Sequence, residues 1–89
     1  MSETADVLPL EPDLELWGHR IAERRAKLHF SQVQLAGYLT RVTGQKLDQS
    51  YVSKLERGVR APTEPQRTAL ARILSTTVWA LFPYPDDVR

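Results

Sequence analysis

The chain has 89 residues, the length of one small domain, and it contains no cysteine, which excludes disulfide frameworks and thiolate metal sites. Its two histidines, His19 and His29, have a spacing that fits no local ligand pair on a helix, so no metal is expected. No apolar run reaches membrane-spanning length and no signal peptide opens the chain, so we expect a soluble, cytoplasmic protein.

Charge is distributed unevenly along this chain of net charge +1. The first fifteen residues carry five acids and no Lys or Arg, whereas residues 16–85 carry eleven Lys or Arg against four acids, a local net charge of +7. Polyanion binding is inferred from such a local excess. Many solvated helical surfaces are also basic, so the excess supports nucleic-acid binding without deciding it.

Residues 1–12 are predicted to form a flexible acidic arm. Pro9 and Pro12 block a regular helix there, and the segment lacks the aromatic residues that a packed element needs. We expect the arm to compete with phosphates for the basic part of the chain and so to weaken non-specific DNA binding.

Helix 1 is predicted from about Asp13 to Lys27 or Leu28. Gly18 lies inside it, and because glycine costs up to about 1 kcal/mol relative to alanine in a helix, it indicates a close approach of another element. Trp17 is expected in the core rather than on a ligand-binding surface. Residues at helical spacing form the predicted buried stripe: Leu14, Trp17, Ile21 and Leu28.

Helix 2 is predicted over about 32–43. Ser31 and Gln34 have the spacing of a capping box, and Gly44 is suited to a left-handed residue after the last turn. The predicted buried side comprises Val33, Leu35, Ala36, Leu39 and Val42.

The stretch from Asp48 to Gly58 predicts a third, short helix, capped by the aspartate and ended by the glycine. Val52 and Leu55 anchor one face. The other face carries amides, hydroxyls and cations but no acid, which suits the donors and acceptors of a DNA major groove. An ordinary solvated amphipathic helix has the same pattern, so these residues alone leave both interpretations open. That face comprises Gln49, Ser50, Tyr51, Ser53, Lys54 and Arg57.

Thr63 is predicted to cap helix 4, with Gln66 completing a second capping box. One or two turns of helix 5 follow from Val78 to Phe82, stopped by Pro83. No alternating apolar run predicts a strand, so the expected fold is all-α, with five short helices in one domain over 13–83 and a flexible tail over 84–89.

Several short segments occur in a specific order along the chain: Ser31-Gln32, Leu35-Ala36, Leu39, the run from Tyr51 to Gly58, Pro62, and Leu70 with Leu74. Together they resemble the Cro/lambda-repressor-type helix-turn-helix family, also called the XRE family. The first and fifth helices of the family look similar to Trp17-Gly18, Ile21 and Arg25 upstream and to Thr77-Val78 and Leu81-Phe82 downstream. The resemblance covers about 17–82 and implies a lambda-repressor-like domain of bacterial or phage origin.

This chain departs from the family pattern in one place. The distance from Ser31 to Glu56 is longer than usual by roughly half a dozen residues, because family turns have about 3–4 residues. We place the surplus over 41–46, so that helix 2 gains a turn and the connection to helix 3 lengthens.

The resemblance also implies roles for individual residues. Base contacts are expected from Gln49, Ser50, Tyr51 and Lys54. Phosphate contacts are expected from Gln32, Arg41, Lys46, Ser53, Arg57 and Arg60, although one or two of the four arginines and lysines are expected to be ordinary surface charges. Gln32 is also expected to steady Gln49, and Arg25 to form a structural ion pair with Glu56.

These features predict a sequence-specific transcriptional regulator, in particular a repressor that binds double-stranded DNA as a homodimer on a two-fold operator. The dimer surface is expected among Trp79, Leu81, Phe82 and Tyr84, although ordinary packing of helix 5 explains them equally well. The alternative is a protein-interaction module, such as an antitoxin that binds a toxin or a regulator that binds polymerase. The sequence contains no nucleophile–base pair and no phosphate-binding glycine loop. We therefore expect that the protein is not an enzyme and that it binds no cofactor or small-molecule substrate.

Overall fold

The structure, a computed structural model, describes residues 11–84. In that range five helices and no strand are present: α1 (Leu14–Lys27), α2 (Gln32–Thr43), α3 (Gln49–Glu56), α4 (Glu64–Ile73) and α5 (Val78–Leu81). The predicted all-α architecture is therefore confirmed, and every helix start and end that was predicted lies within a residue or two of the observed one. The predicted acidic arm and tail fall mostly outside the described residues.

Each helix begins at a side chain that accepts a hydrogen bond from an amide of its first turn, which would otherwise have no partner. These caps are Asp13, Ser31, Asp48, Thr63 and Thr77. The predicted capping boxes of α2 and α4 are both formed. Gly44 and Gly58 take positive φ angles of 77° after α2 and α3, as predicted for helix-ending glycines.

The core forms around Trp17, which is 1% exposed. Its indole Nε1 donates to the carbonyl oxygen of Pro83 at 2.8 Å, and its ring meets those of Phe82 and Tyr84 edge-on at 5.1 and 5.3 Å. The segment after α5 is thereby attached to α1, and Tyr84, assigned to the tail, packs on the domain. The other large, fully buried side chains are Ile21, Leu35, Leu39, Val52, Leu55, Leu70 and Leu74.

Two predictions for the buried face of α2 are wrong. Val33 is 63% exposed and Val42 is 48% exposed. Successive residues of a helix are turned by about 100°, so Val33 points almost opposite to Leu35 and Val42 lies to one side of Leu39. The neighbouring helices α3 and α4 cover the narrower stripe of Leu35, Ala36 and Leu39.

Leu81 and Phe82, two of the residues considered for a dimer surface, instead follow the alternative expectation of ordinary packing of helix 5. Both are only 2% exposed, because α5 packs against α1 and α4 and turns these side chains into the core. Tyr84 is half-buried against Trp17. Trp79 is the member of the predicted set that is open to solvent, with 63% of its surface exposed.

Glycine allows α1 and α3 to touch backbone to backbone. A Cβ atom at Gly18 would lie 2.5 Å from the carbonyl oxygen of Leu55 and closer still to that of Glu56, which confirms the predicted close approach. After α3, Gly58 lies against the backbone of Glu15. The first turn of α1 is therefore next to the end of α3. None of the helices within 11–84 has both the length and the apolar character needed to cross a membrane.

Candidate nucleic-acid interface

Helix α3 is anchored by two aliphatic side chains and presents a polar ridge on its other side. Val52 and Leu55 are 0% and 1% exposed, whereas Gln49, Ser50 and Lys54 are exposed. The Asp48 carboxylate accepts from the amide of Tyr51 at 3.0 Å, so Asp48 serves as the N-cap of α3. The exposed ridge therefore offers an amide, a hydroxyl and an ammonium group.

A chain of hydrogen bonds joins α1, α2 and α3 at one flank of this ridge. Arg25 donates from Nε and Nη2 to the two carboxylate oxygens of Glu56, at 2.5 and 3.1 Å, and the predicted ion pair is therefore present. Hydrogen bonding to Glu56 raises the pKa of Arg25 above its ordinary value, with burial opposing the rise. Gln32 Nε2 donates to Glu56 Oε1 at 2.9 Å, and Gln49 Nε2 donates to Gln32 Oε1 at 3.1 Å.

This chain determines which way the Gln49 amide faces. An ionised carboxylate only accepts hydrogen bonds, so Gln32 must turn its NH₂ group toward Glu56 and its oxygen toward Gln49. Gln49 must then donate to Gln32 with one N–H. Its oxygen and its second N–H remain available, and this acceptor and donor match the N6 and N7 atoms of adenine in the major groove.

Tyr51 occupies the opposite flank of α3 and is half-buried. Its hydroxyl donates to Gln66 Oε1 at 2.6 Å, and the guanidinium of Arg60 lies over its ring, 5.7 Å from the centroid. The side chain thus faces α4, and its hydroxyl proton is already used. A base contact by Tyr51 stays a prediction.

Exposed cations precede and follow α3 along the chain. Arg41 and Lys46 come before it, and Arg57 and Arg60 after it. Ser53 is half-buried and accepts from Arg57 Nε at 3.3 Å, which holds that arginine beside the ridge. Phosphate contacts by these residues and by Gln32 stay predictions.

Other basic residues support the fold. Arg24 donates to the carbonyl oxygens of Leu74 and Ser75, both at 2.8 Å, and Arg20 donates to that of Ala80 at 2.7 Å. These roles were not predicted from the sequence, although arginines four residues apart on one helix share a face and could have indicated a common partner. Some of the basic side chains therefore bind carbonyl oxygens near the ends of α4 and α5 and are not part of the ridge on α3.

Within residues 11–84, no group of three His, Cys, Asp or Glu side chains is placed to hold a metal ion. A family model described as helix-turn-helix matches residues 21–78. The chain belongs to this XRE-type helix-turn-helix family. The predicted resemblance is therefore confirmed. Membership of this family makes the protein a DNA-binding regulator of transcription.

Solved structures of XRE-like regulators are similar to this domain. The restriction-modification controller protein C.AhdI from Aeromonas hydrophila is 34% identical over 79% of this chain and 97% of its own, with a TM-score of 0.62. A hypothetical transcription factor, NHTF from Neisseria, is 26% identical over 91% of this chain and 92% of its own, with a TM-score of 0.63.

The same fold also occurs in part of an enzyme. Hydroxypropylphosphonic acid epoxidase from S. wedmorenis is 22% identical over 80% of this chain and 35% of its own, with a TM-score of 0.68. A likeness at that identity shows the fold alone. No protein among the curated ones matches the chain.

Helix α2 runs to Thr43, and residues 44–48 connect it to α3, within the predicted bounds. That this segment is longer than the family pattern stays a prediction. Thr40 Oγ1 donates to the carbonyl oxygen of Leu47 at 2.8 Å and accepts from its amide at 2.9 Å. The connection is therefore tied to α2 at its far end.

Proposed function

We propose that this regulator is a sequence-specific repressor that inserts α3 into the major groove as a homodimer on a two-fold operator. The observation that carries the proposal is the orientation of Gln49: an exposed amide at the start of α3, turned by Gln32 and Glu56 so that one acceptor and one donor face outward. An amide held in one orientation before binding loses less conformational entropy when it meets a base.

Each exposed side chain of the ridge has a matching partner in the groove. Gln49 pairs with the N6 and N7 atoms of adenine, and Lys54 donates to the N7 and O6 atoms of guanine. Ser50 donates or accepts and so discriminates weakly, and Tyr51 approaches a thymine methyl group or a phosphate. Phosphates are held by the amides at the start of α2 together with Gln32, Arg41, Lys46, Ser53, Arg57 and Arg60.

The direct test is selection of binding sites from random double-stranded DNA. Gln49→Ala and Lys54→Ala should each lose about 1–3 kcal/mol of binding free energy and relax the preference at one base position. Arg72→Ala is the matched control, since Arg72 is exposed on α4 and outside the proposed contact set. If the selected sites are unchanged in both ridge variants, α3 is not the reading element.

The dimer is proposed to form through α5. Trp79 is 63% exposed and Val78 is 38% exposed, and large apolar side chains on a surface mark interaction sites when they cluster. Two subunits would then read half-sites about one helical turn apart. Trp79→Ser should produce a monomer in sedimentation equilibrium, whereas Val33→Ser, at an equally exposed position, should leave the dimer intact.

A second candidate function is binding of a protein partner, such as a toxin or polymerase. It is favoured by an apolar groove of about 270 Å³ between α2 and α4, lined by Phe30, Tyr38, Arg41, Val42 and Ile73. A partner that binds the Gln49→Ala/Lys54→Ala double variant as tightly as the unchanged protein would support this candidate. A steep loss of DNA affinity with salt, with preference for a selected site retained, would support the first.

A further inference from the structure

Gln66, in the first turn of α4, is the buried polar side chain of the described region, with 2% of its surface exposed. Its Oε1 accepts from the amide of Thr63 at 3.0 Å and from the hydroxyl of Tyr51 at 2.6 Å. Its Nε2 donates to Gln45 Oε1 at 3.0 Å. A buried amide whose polar atoms have no partner lowers the stability of the folded protein. These bonds therefore restrain Thr63, Tyr51 and Gln45.

A capping box requires the bond between Gln66 and Thr63 but not those to Tyr51 and Gln45. In the equivalent box of α2, Gln34 Oε1 accepts from the amide of Ser31 at 2.8 Å, and Gln34 is exposed. Gln66 makes that same capping bond to Thr63 and in addition reaches α3 and the α2–α3 connection. The bonds to Tyr51 and Gln45 are therefore not part of helix capping.

The bond to Tyr51 restrains rotation of α3. Gln49 and Tyr51 are two residues apart, so they lie on opposite flanks of α3, about 160° from each other around its axis. Gln32 of α2 holds the first flank and Gln66 of α4 holds the second. Rotation of α3 in either direction would break or stretch one of these bonds.

The bond to Gln45 restrains the approach to α3. Gln45 lies in the 44–48 connection, within the stretch 41–46 in which the surplus over the family pattern is predicted. Its backbone amide also donates to Thr43 Oγ1 at 3.1 Å. The connection is thus held at its start by Gln66 and Thr43 and at its end by Thr40. Each ordered residue of a connection loses conformational freedom, and these bonds stabilise the ordered state that leads into α3.

We propose that Gln66 is a positioning residue for DNA recognition. Through Tyr51 it fixes the rotation of α3, and through Gln45 it fixes the connection before it, so that Gln49 and Lys54 meet the bases in one orientation. This inference rests on the proposed function of α3. It goes further, since it assigns a role in specificity to a residue that is shielded from DNA.

The test compares two duplexes, the sequence that the unchanged protein enriches from random DNA and a scrambled duplex of the same composition. Tyr51→Phe removes one hydrogen bond and keeps the ring beneath Arg60, so it should lower the ratio of specific to non-specific affinity by about 3- to 10-fold. Gln66→Ala should lower the ratio further. Gln34→Ala, which removes a matched capping glutamine, should change it by less than about twofold.

Two further readouts separate positioning from stability and from direct contact. Exchange in α1 reports global unfolding and serves as the reference in each variant. Relative to α1, hydrogen exchange at residues 44–57 should quicken in Gln66→Ala and not in Gln34→Ala. Site selection with Tyr51→Phe should show weaker discrimination at the positions read by Gln49 and Lys54. A preference relaxed at one other position alone would instead mean that the Tyr51 hydroxyl contacts a base, and would overturn the inference.

The remaining outcomes are also decisive. An unchanged affinity ratio in Tyr51→Phe overturns the inference while the proposed function stands, provided that the unchanged protein prefers its selected duplex. An unchanged protein that binds both duplexes equally overturns the proposed function and this inference together. If Gln66→Ala does not fold, Tyr51→Phe and Gln45→Ala, whose side chain is exposed, carry the comparison.

Discussion

The contact between Gly18 and the end of α3 makes Gly18→Ala a sensitive probe of the fold. A Cβ atom there would meet the backbone carbonyl of Leu55 at 2.5 Å, below the 3.0 Å limit of real Cβ contacts, so α1 and α3 must separate by at least 0.5 Å. Because the obstacle is backbone, no side chain can rotate away to relieve it. Overpacking of this kind costs typically about 1–3 kcal/mol.

Alanine also has a better helix propensity than glycine, worth up to about 1 kcal/mol. Gly37→Ala isolates that gain, since Gly37 lies in α2 and a methyl group added to its Cα would have no neighbour within 4 Å. We therefore expect Gly37→Ala to raise the free energy of unfolding by about 0.5–1 kcal/mol. In Gly18→Ala the same gain offsets part of an overpacking cost of about 2 kcal/mol, so the free energy of unfolding should fall by about 1 kcal/mol. For a domain of this size that is a fall in Tm of roughly 4–8 °C.

Thermal and urea unfolding followed by circular dichroism measures both variants under the same conditions. DNA binding by Gly18→Ala at a temperature where it is folded then shows whether displacement of α3 reduces specific affinity. Equal stability of the two alanine variants would refute the reasoning, because it would mean that α1 and α3 separate without cost.

Other variants test the ion pair, a phosphate contact and the acidic residues before α1. Glu56→Ala leaves Arg25 and Gln32 without their shared acceptor and should lower the free energy of unfolding by up to about 3 kcal/mol, since the pair is not fully buried; an unchanged Tm would show that the ion pair has no structural role. Arg60→Ala should weaken binding to all sequences alike and reduce the salt slope by about 1, whereas a change of sequence preference would assign Arg60 to the bases. Deletion of residues 1–12 should strengthen non-specific DNA binding at low salt. An affinity with the same value and salt dependence as before would show that these residues do not compete with DNA phosphates.

The helix boundaries could be predicted because capping is local. Each cap and the amide it accepts from are three residues apart, as with Ser31 and Gln34 or Thr63 and Gln66, so the pattern is complete within one turn. The buried face of α2 was less accessible to prediction. Val33 and Val42 are apolar, but whether a valine at the edge of a stripe is covered depends on how α3 and α4 cross α2, and no local pattern contains that information.

The polar ridge was predictable for a similar reason, because Val52 and Leu55 fix which side of α3 faces outward. The inward turn of Tyr51 was not, since its partner Gln66 lies fifteen residues away on another helix and the bond depends on tertiary packing. The bond between Gln32 and Gln49 is equally distant in sequence, yet it was expected from the family resemblance. Distant polar contacts were thus predicted only where the resemblance supplied them.

The two tryptophans of this chain make its fluorescence informative without a label. Trp17 is sealed in the interior with its indole N–H bonded to Pro83, while Trp79 is largely open to water. An aqueous quencher such as iodide should therefore reach Trp79 in the native protein and Trp17 only after denaturation. Weaker quenching of Trp79 as the protein concentration rises would show that α5 becomes covered. In Trp79→Phe, Trp17 would be the remaining tryptophan, and its fluorescence would report denaturation alone.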